Sequence, residues 1–130
     1  MHILIGYDGT NAAKEALKVG KKIALGLDGE VILITSLSSA LDTTPEKVDE
    51  ARSELNSAKS IFEKAGLVCE TKLLMRGLEP GEDLVTYATE NRCEHIVIGT
   101  KRRSKIGKLI MGSTAQYIIL NAPCPVTSVK

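Results

Sequence analysis

The chain has 130 residues, enough for one domain with one core, expected to span residues 1–130. Hydrophobic residues make up 43% and charged residues 25%, the balance of an ordinary soluble globular protein, and a net charge of +1 gives no general reason to expect a polyanionic partner. No apolar run approaches the roughly 20 residues of a membrane span, and the strand-like MHILIGY is too short for a signal peptide and is followed at once by Asp8.

The first apolar run, Ile3 to Tyr7, ends at the turn-forming triplet Asp8-Gly9-Thr10. Ala13, Ala16, Leu17, Gly20, Ile23, Ala24 and Leu27 then recur at three- and four-residue steps, one face of an amphipathic helix that Asp28-Gly29 stops. Val31 to Leu37 reads as a second strand. Its unbroken apolar stretch Val31 to Ile34 predicts burial on both faces, as a parallel sheet requires. Pro45 suits the first turn of a second helix carrying Val48, Ala51, Leu55, Ala58, Phe62 and Ala65, with Gly66 as its stop.

Leu67 to Met75 alternates enough to predict a half-exposed edge strand, ended by Arg76-Gly77. A third helix is expected from Pro80 to Asn91 and a short buried strand from Glu94 to Ile98. A basic loop follows from Gly99 to Lys108, then a fourth helix from Ser113, and a last strand from Pro125 to Val129. Pro125 has no N–H to donate, so this strand starts there or lies on an edge. Strict alternation of five strands and four helices predicts an α/β domain with a doubly wound parallel sheet.

Ligands of such sheets bind beyond the carboxyl ends of the strands, where the strand order reverses. Asp8-Gly9-Thr10, Ser36 to Ser38 and the segment from Gly99 should meet there. The strongest physical signal is Gly112-Ser113-Thr114 at a helix start. Free backbone N–H groups and the helix dipole together favour an anion there, although Ser and Thr also supply plain N-caps. Lys101, Arg102, Arg103, Lys105 and Lys108 bring five positive charges within eight residues, suited either to phosphate or to a solvated loop. With no aromatic among them to stack on bases, nucleic acid is not expected. Asp8 is suited to a ribose hydroxyl, to a metal, or to turning the chain into the first helix.

No Walker loop and no nucleophile-elbow motif is present, and no residue pair reads as a general base with a positioned nucleophile. No catalytic residue is therefore assigned. Cys69, Cys93 and Cys124 are widely spaced, form no CxxC motif, and lie at no metal-ligand spacing from His2 or His95. Buried, inert thiols are expected, with no metal, in a cytoplasmic protein.

Three features together resemble the universal stress protein family: strand-DGT-helix at the start, the IVIGT of Ile96 to Thr100 with Gly112-Ser113 beyond it, and the terminal Ala122-Pro-Cys-Pro-Val126. The resemblance runs through the whole chain. It implies strand order 3-2-1-4-5 and a Rossmann-like cytoplasmic homodimer that pairs through Val126–Val129. One branch of the family binds ATP through Gly, two residues, Gly, nine residues, Gly, then Ser or Thr.

Here the outer parts of that motif are Gly99 and Gly112-Ser113, with Thr114 following, while Arg102 stands at the middle position. An arginine there is bulkier and restricts positive φ, and it is suited either to reach the phosphates as a cation or to occupy their space. Ser36 falls where the family places an aliphatic residue by the adenine, and Asp8 and Thr10 match the strand-one turn. The resemblance thus implies a regulatory module for ATP or AMP, with Mg²⁺ accompanying a triphosphate. It also leaves a non-nucleotide interaction module and, more remotely, a slow nucleotide hydrolase as alternatives.

Overall fold

The computed structural model describes residues 1–41, 43–100 and 111–130. Five strands and four helices alternate along the chain: β1 (His2–Gly6), α1 (Asn11–Leu27), β2 (Glu30–Ser36), α2 (Pro45–Lys64), β3 (Cys69–Leu74), α3 (Pro80–Glu90), β4 (His95–Gly99), α4 (Ser113–Asn121) and β5 (Val126–Val129). All strand pairs are parallel and the order is 3-2-1-4-5, as the resemblance implies. The chain reverses direction across the sheet between β1 and β4, which opens a crevice at the carboxyl ends of those strands.

The side-chain period of two divides the core into halves. Ile3, Ile5, Val31, Leu33 and Val97 point to the face covered by α1 and α2, where Phe62 is sealed from solvent. Leu4, Ile32, Ile34, Ile96 and Ile98 point to the face covered by α3 and α4, where they meet Leu84, Ala88, Ala115 and Ile118. One nearly unbroken apolar run per central strand is what this two-sided burial demands. The outer strand β3 shows the expected alternation, with Cys69 buried and Glu70 exposed.

Strand limits differ from the apolar runs by about one residue. β1 begins at His2 and β2 at Glu30, both exposed, because ladder hydrogen bonds extend past the last buried side chain. α1 starts at Asn11 because Thr10 caps it, its hydroxyl accepting from the Ala13 N–H at 3.2 Å. Asp28 takes the left-handed stop at φ 53°. Pro45 and Pro80 each occupy a helix first turn, where a missing N–H costs no hydrogen bond.

Cys69 and Cys93 are buried and Cys124 is half-buried, and all three are free thiols. Burial pushes Cys69 and Cys93 each up to about 11 and raises Cys124 as well. All three stay protonated near neutral pH, which leaves little thiolate for nucleophilic chemistry. Among the described residues no helix is long and apolar enough to cross a membrane.

Candidate functional site

Beyond the ends of β1, β2 and β4 lies a cleft of about 200 Å³. Tyr7 and Asp8 line it from the end of β1, Ser36 from β2 and Gly99 from β4. Pro80 and Leu84 of α3 form one wall, and Gly112, Ser113 and Thr114 lie at the start of α4. Six of the residues singled out in the sequence therefore share one space: Asp8, Ser36, Gly99, Gly112, Ser113 and Thr114. Thr10 is not among the lining residues and is tied to the cleft through Asp8. Arg102, together with Lys101, Arg103, Lys105, Gly107 and Lys108, lies outside the described residues.

The β1 end is fixed by the sheet beyond its last ladder residue. The Tyr7 N–H donates to the Ile34 carbonyl at 2.8 Å, and the Thr35 hydroxyl donates to the Tyr7 carbonyl at 2.6 Å. Asp8 follows at once and closes a turn in which its Oδ1 accepts from the Thr10 N–H at 3.0 Å and the Thr10 hydroxyl at 2.6 Å. Both bonds land on one oxygen, so Oδ2 keeps its capacity to accept. Thr10 itself is spent on the cap and the turn. Burial, then the charges of Glu54 and Asp8, raise the Tyr7 phenol above its ordinary value, so it stays neutral in the cleft wall.

The α4 end is the electropositive end of the site. Gly112 is the N-cap residue, at φ −70° and ψ 160°, and among the described residues no side chain caps the helix. The first intrahelical bond of α4 runs from the Gln116 N–H to the Gly112 carbonyl at 3.0 Å. The N–H groups of Ser113, Thr114 and Ala115 precede it and have no partner within the helix. They sit at the positive end of the helix dipole, on the cleft lining. Among the described residues no hydroxyl caps this terminus. Gly81 sets where that terminus lies. A side chain there would come within 3.1 Å of Tyr117 Cβ and 3.2 Å of the Thr114 carbonyl, so its absence lets α3 pack tightly on α4.

Two residues that the sequence did not single out as site residues, Asp83 and Arg76, stand behind Ser36. Asp83, in the first turn of α3, has no solvent exposure. Its Oδ2 accepts from the Ser36 hydroxyl at 2.7 Å, and its Oδ1 accepts from Arg76 Nε at 2.7 Å and lies 2.6 Å from Nη2 in an ion pair. Arg76 also donates to the Asp83 carbonyl at 3.2 Å and to Glu90 Oε1 at 3.3 Å. The hydrogen bond to Asp83 holds the Arg76 guanidinium more firmly in its charged form, against the opposing effect of burial, with the Asp83 charge and then Glu90 adding to it. In sequence, Glu82 and Asp83 are equivalent acids in a helix first turn, where acids are common on the surface. Nothing local says that the second one turns inward.

An open parallel sheet with a cleft at its reversal point, bordered by the start of α4, defines an α/β domain of the doubly wound class. The universal stress protein family model matches residues 1–130, and the chain belongs to that family. A universal stress protein of Thermus aquaticus, encoded in the QAH/OAS sulfhydrylase 3′ region, is 30% identical over 98% of this chain and 97% of its own length. A universal stress protein of Archaeoglobus fulgidus superposes with a TM-score of 0.90 at 37% identity, covering 100% of this chain and 98% of that one. The structure of the Archaeoglobus fulgidus universal stress protein in complex with dAMP superposes at 0.83 with 33% identity, again over 100% and 98%.

Proposed function

We propose that this chain is a cytoplasmic regulatory module of the stress response that binds adenine nucleotides, works as a homodimer and does not depend on catalysis. The observation that carries the nucleotide reading is the uncapped start of α4, opening on a cleft that also holds Asp8 and Ser36. The N–H groups of Ser113 to Ala115 suit a phosphate, with the Ser113 and Thr114 hydroxyls as further donors, and the acceptor Asp8 suits a ribose hydroxyl. The dAMP complex of a 33% identical relative supports the same ligand class. Among the described residues no group of three or more His, Cys, Asp or Glu is arranged to hold a metal, so Mg²⁺ enters this reading only with the phosphates of ATP.

Calorimetric titration with AMP and with ATP, with and without Mg²⁺, is expected to give saturable heat. No heat and no thermal shift at millimolar nucleotide would overturn the reading. In the same titration Arg102→Ala is expected to weaken binding about fivefold, the loss of one phosphate contact. A gain in affinity would show instead that Arg102 fills the phosphate site. Turnover of ATP should stay at background.

The dimer rests on the edge position of β5, whose outer backbone is a template for a second strand. Leu120 of α4 adds an apolar surface that is 81% exposed, with Ile119 beside it in sequence at 42%. Sedimentation equilibrium at micromolar protein is expected to give twice the chain mass, and Ser128→Pro to shift it towards one chain, because the β4 register turns the Ser128 N–H to the outer edge. A single-chain mass for the unaltered protein rules the dimer out.

A further inference from the structure

Ser36 is not a freely rotating hydroxyl. Asp83, behind it, has no solvent exposure, and both its oxygens are committed. Oδ1 accepts from Arg76 Nε at 2.7 Å and is ion-paired with Nη2 at 2.6 Å, and Oδ2 accepts from the Ser36 hydroxyl at 2.7 Å. Arg76 is held in turn by the Asp83 carbonyl and Glu90. A carboxylate paired with a guanidinium only accepts hydrogen bonds, so the single proton of Ser36 points at Asp83. What Ser36 then offers the cleft is lone pairs alone.

The position of Ser36 selects the part of a nucleotide it meets. The phosphate-suited helix start follows β4, whereas Ser36 ends β2, with β1 between them. Two strand spacings amount to about 10 Å. A nucleotide with its phosphate at α4 therefore carries its base towards β2.

We propose that Ser36 reads the base by accepting a hydrogen bond from an exocyclic amino group, so that the cleft selects 6-aminopurines, and that Asp83 and Arg76 are the residues that position it. The proposal rests on the nucleotide reading above and deepens it. Adenine offers an amino group at that position, and hypoxanthine offers a carbonyl oxygen, which would set acceptor against acceptor. Unsubstituted purine offers neither.

The test is titration of the full-length protein with AMP, IMP, purine riboside 5′-monophosphate and dAMP. The unaltered protein is expected to bind AMP about tenfold tighter than purine riboside 5′-monophosphate. Ser36→Ala is expected to lose about that factor for AMP, to leave purine riboside 5′-monophosphate within about twofold, and so to erase the preference.

Asp83→Asn probes the positioning role with nearly the same shape. Arg76 requires an oxygen, so the amide oxygen stays on Arg76 and the amide nitrogen faces Ser36 and donates to it. The Ser36 proton then turns to the cleft, so AMP weakens while IMP tightens. A purely structural role would weaken both alike, and that result would overturn the positioning role. If Asp83→Asn does not fold, Ser36→Ala decides alone. Equal binding of AMP and purine riboside 5′-monophosphate overturns the proposal but leaves the nucleotide reading standing. A loss in Ser36→Ala that follows the AMP-to-dAMP ratio moves the contact to the ribose and also overturns it. No binding of any nucleotide ends both.

Discussion

Arg76→Ala should remove about 3–5 kcal/mol of folding stability at neutral pH, the cost typical of breaking a buried ion pair from one side. The asymmetry within the pair is the reason. The Arg76 side chain is 35% exposed, so water already shares its charge, whereas the Asp83 side chain is at 0%. Deleting the arginine leaves a sealed carboxylate whose remaining side-chain partner, among the described residues, is the Ser36 hydroxyl. For a domain of this size the midpoint of thermal unfolding should fall by on the order of 10 °C. Circular dichroism is the suitable probe, since the chain has no Trp.

Removing both charges should cost much less. The double variant Arg76→Met, Asp83→Leu recovers most of the loss, because no buried charge is left behind. Glu90→Ala, which touches the same arginine from a side chain that is 57% exposed, should cost below about 1 kcal/mol. A single Arg76→Ala no worse than Glu90→Ala would contradict this account of the network.

Gly99→Ala should cost about 2–3 kcal/mol and loosen the ligand cleft together with the fold. An added Cβ would lie 2.5 Å from the Ala12 carbonyl carbon, 2.6 Å from its oxygen and 2.8 Å from the Ala13 nitrogen. All three are backbone atoms in the first turn of α1, so no side-chain rotation relieves the clash. The helix start has to move, and with it the Thr10 cap and the Asp8 turn that Thr10 closes.

Family register presents Gly99 as the first glycine of a phosphate loop. Its surroundings add a second reason for glycine, the close approach of β4 to α1. Thermal unfolding and AMP titration on the same variant separate the two reasons. Lost binding at an unchanged midpoint would assign Gly99 to the ligand alone, whereas the clash predicts that both fall together.

Much of this was legible along the chain. Ile3 to Tyr7, Val31 to Ile34 and Ile96 to Ile98 are short apolar runs between helical patterns, and that rhythm alone specifies a parallel α/β sheet. Pro45 and Gly66 bracket α2 because their backbone constraints act locally. The gathering of Asp8, Ser36, Gly99 and Gly112 was legible too, since all four follow strands or open a helix at one edge of the sheet.

The Asp83 network was not legible. Ser36 and Asp83 are 47 positions apart and Arg76 reaches Asp83 from the end of β3, so the contact exists only once α3 has crossed the sheet. Asp83 and Glu82 carry the same charge in the same turn, and only packing decides which of them is sealed inside. Hydrophobic period and turn chemistry act over a few residues, so the sequence by itself determined the elements, their order and the edge of the sheet where the cleft opens. Burial of a charge depends on what other elements place around it. Tertiary structure alone therefore decided that an ion pair lies behind Ser36, and which way the hydroxyl of Ser36 points.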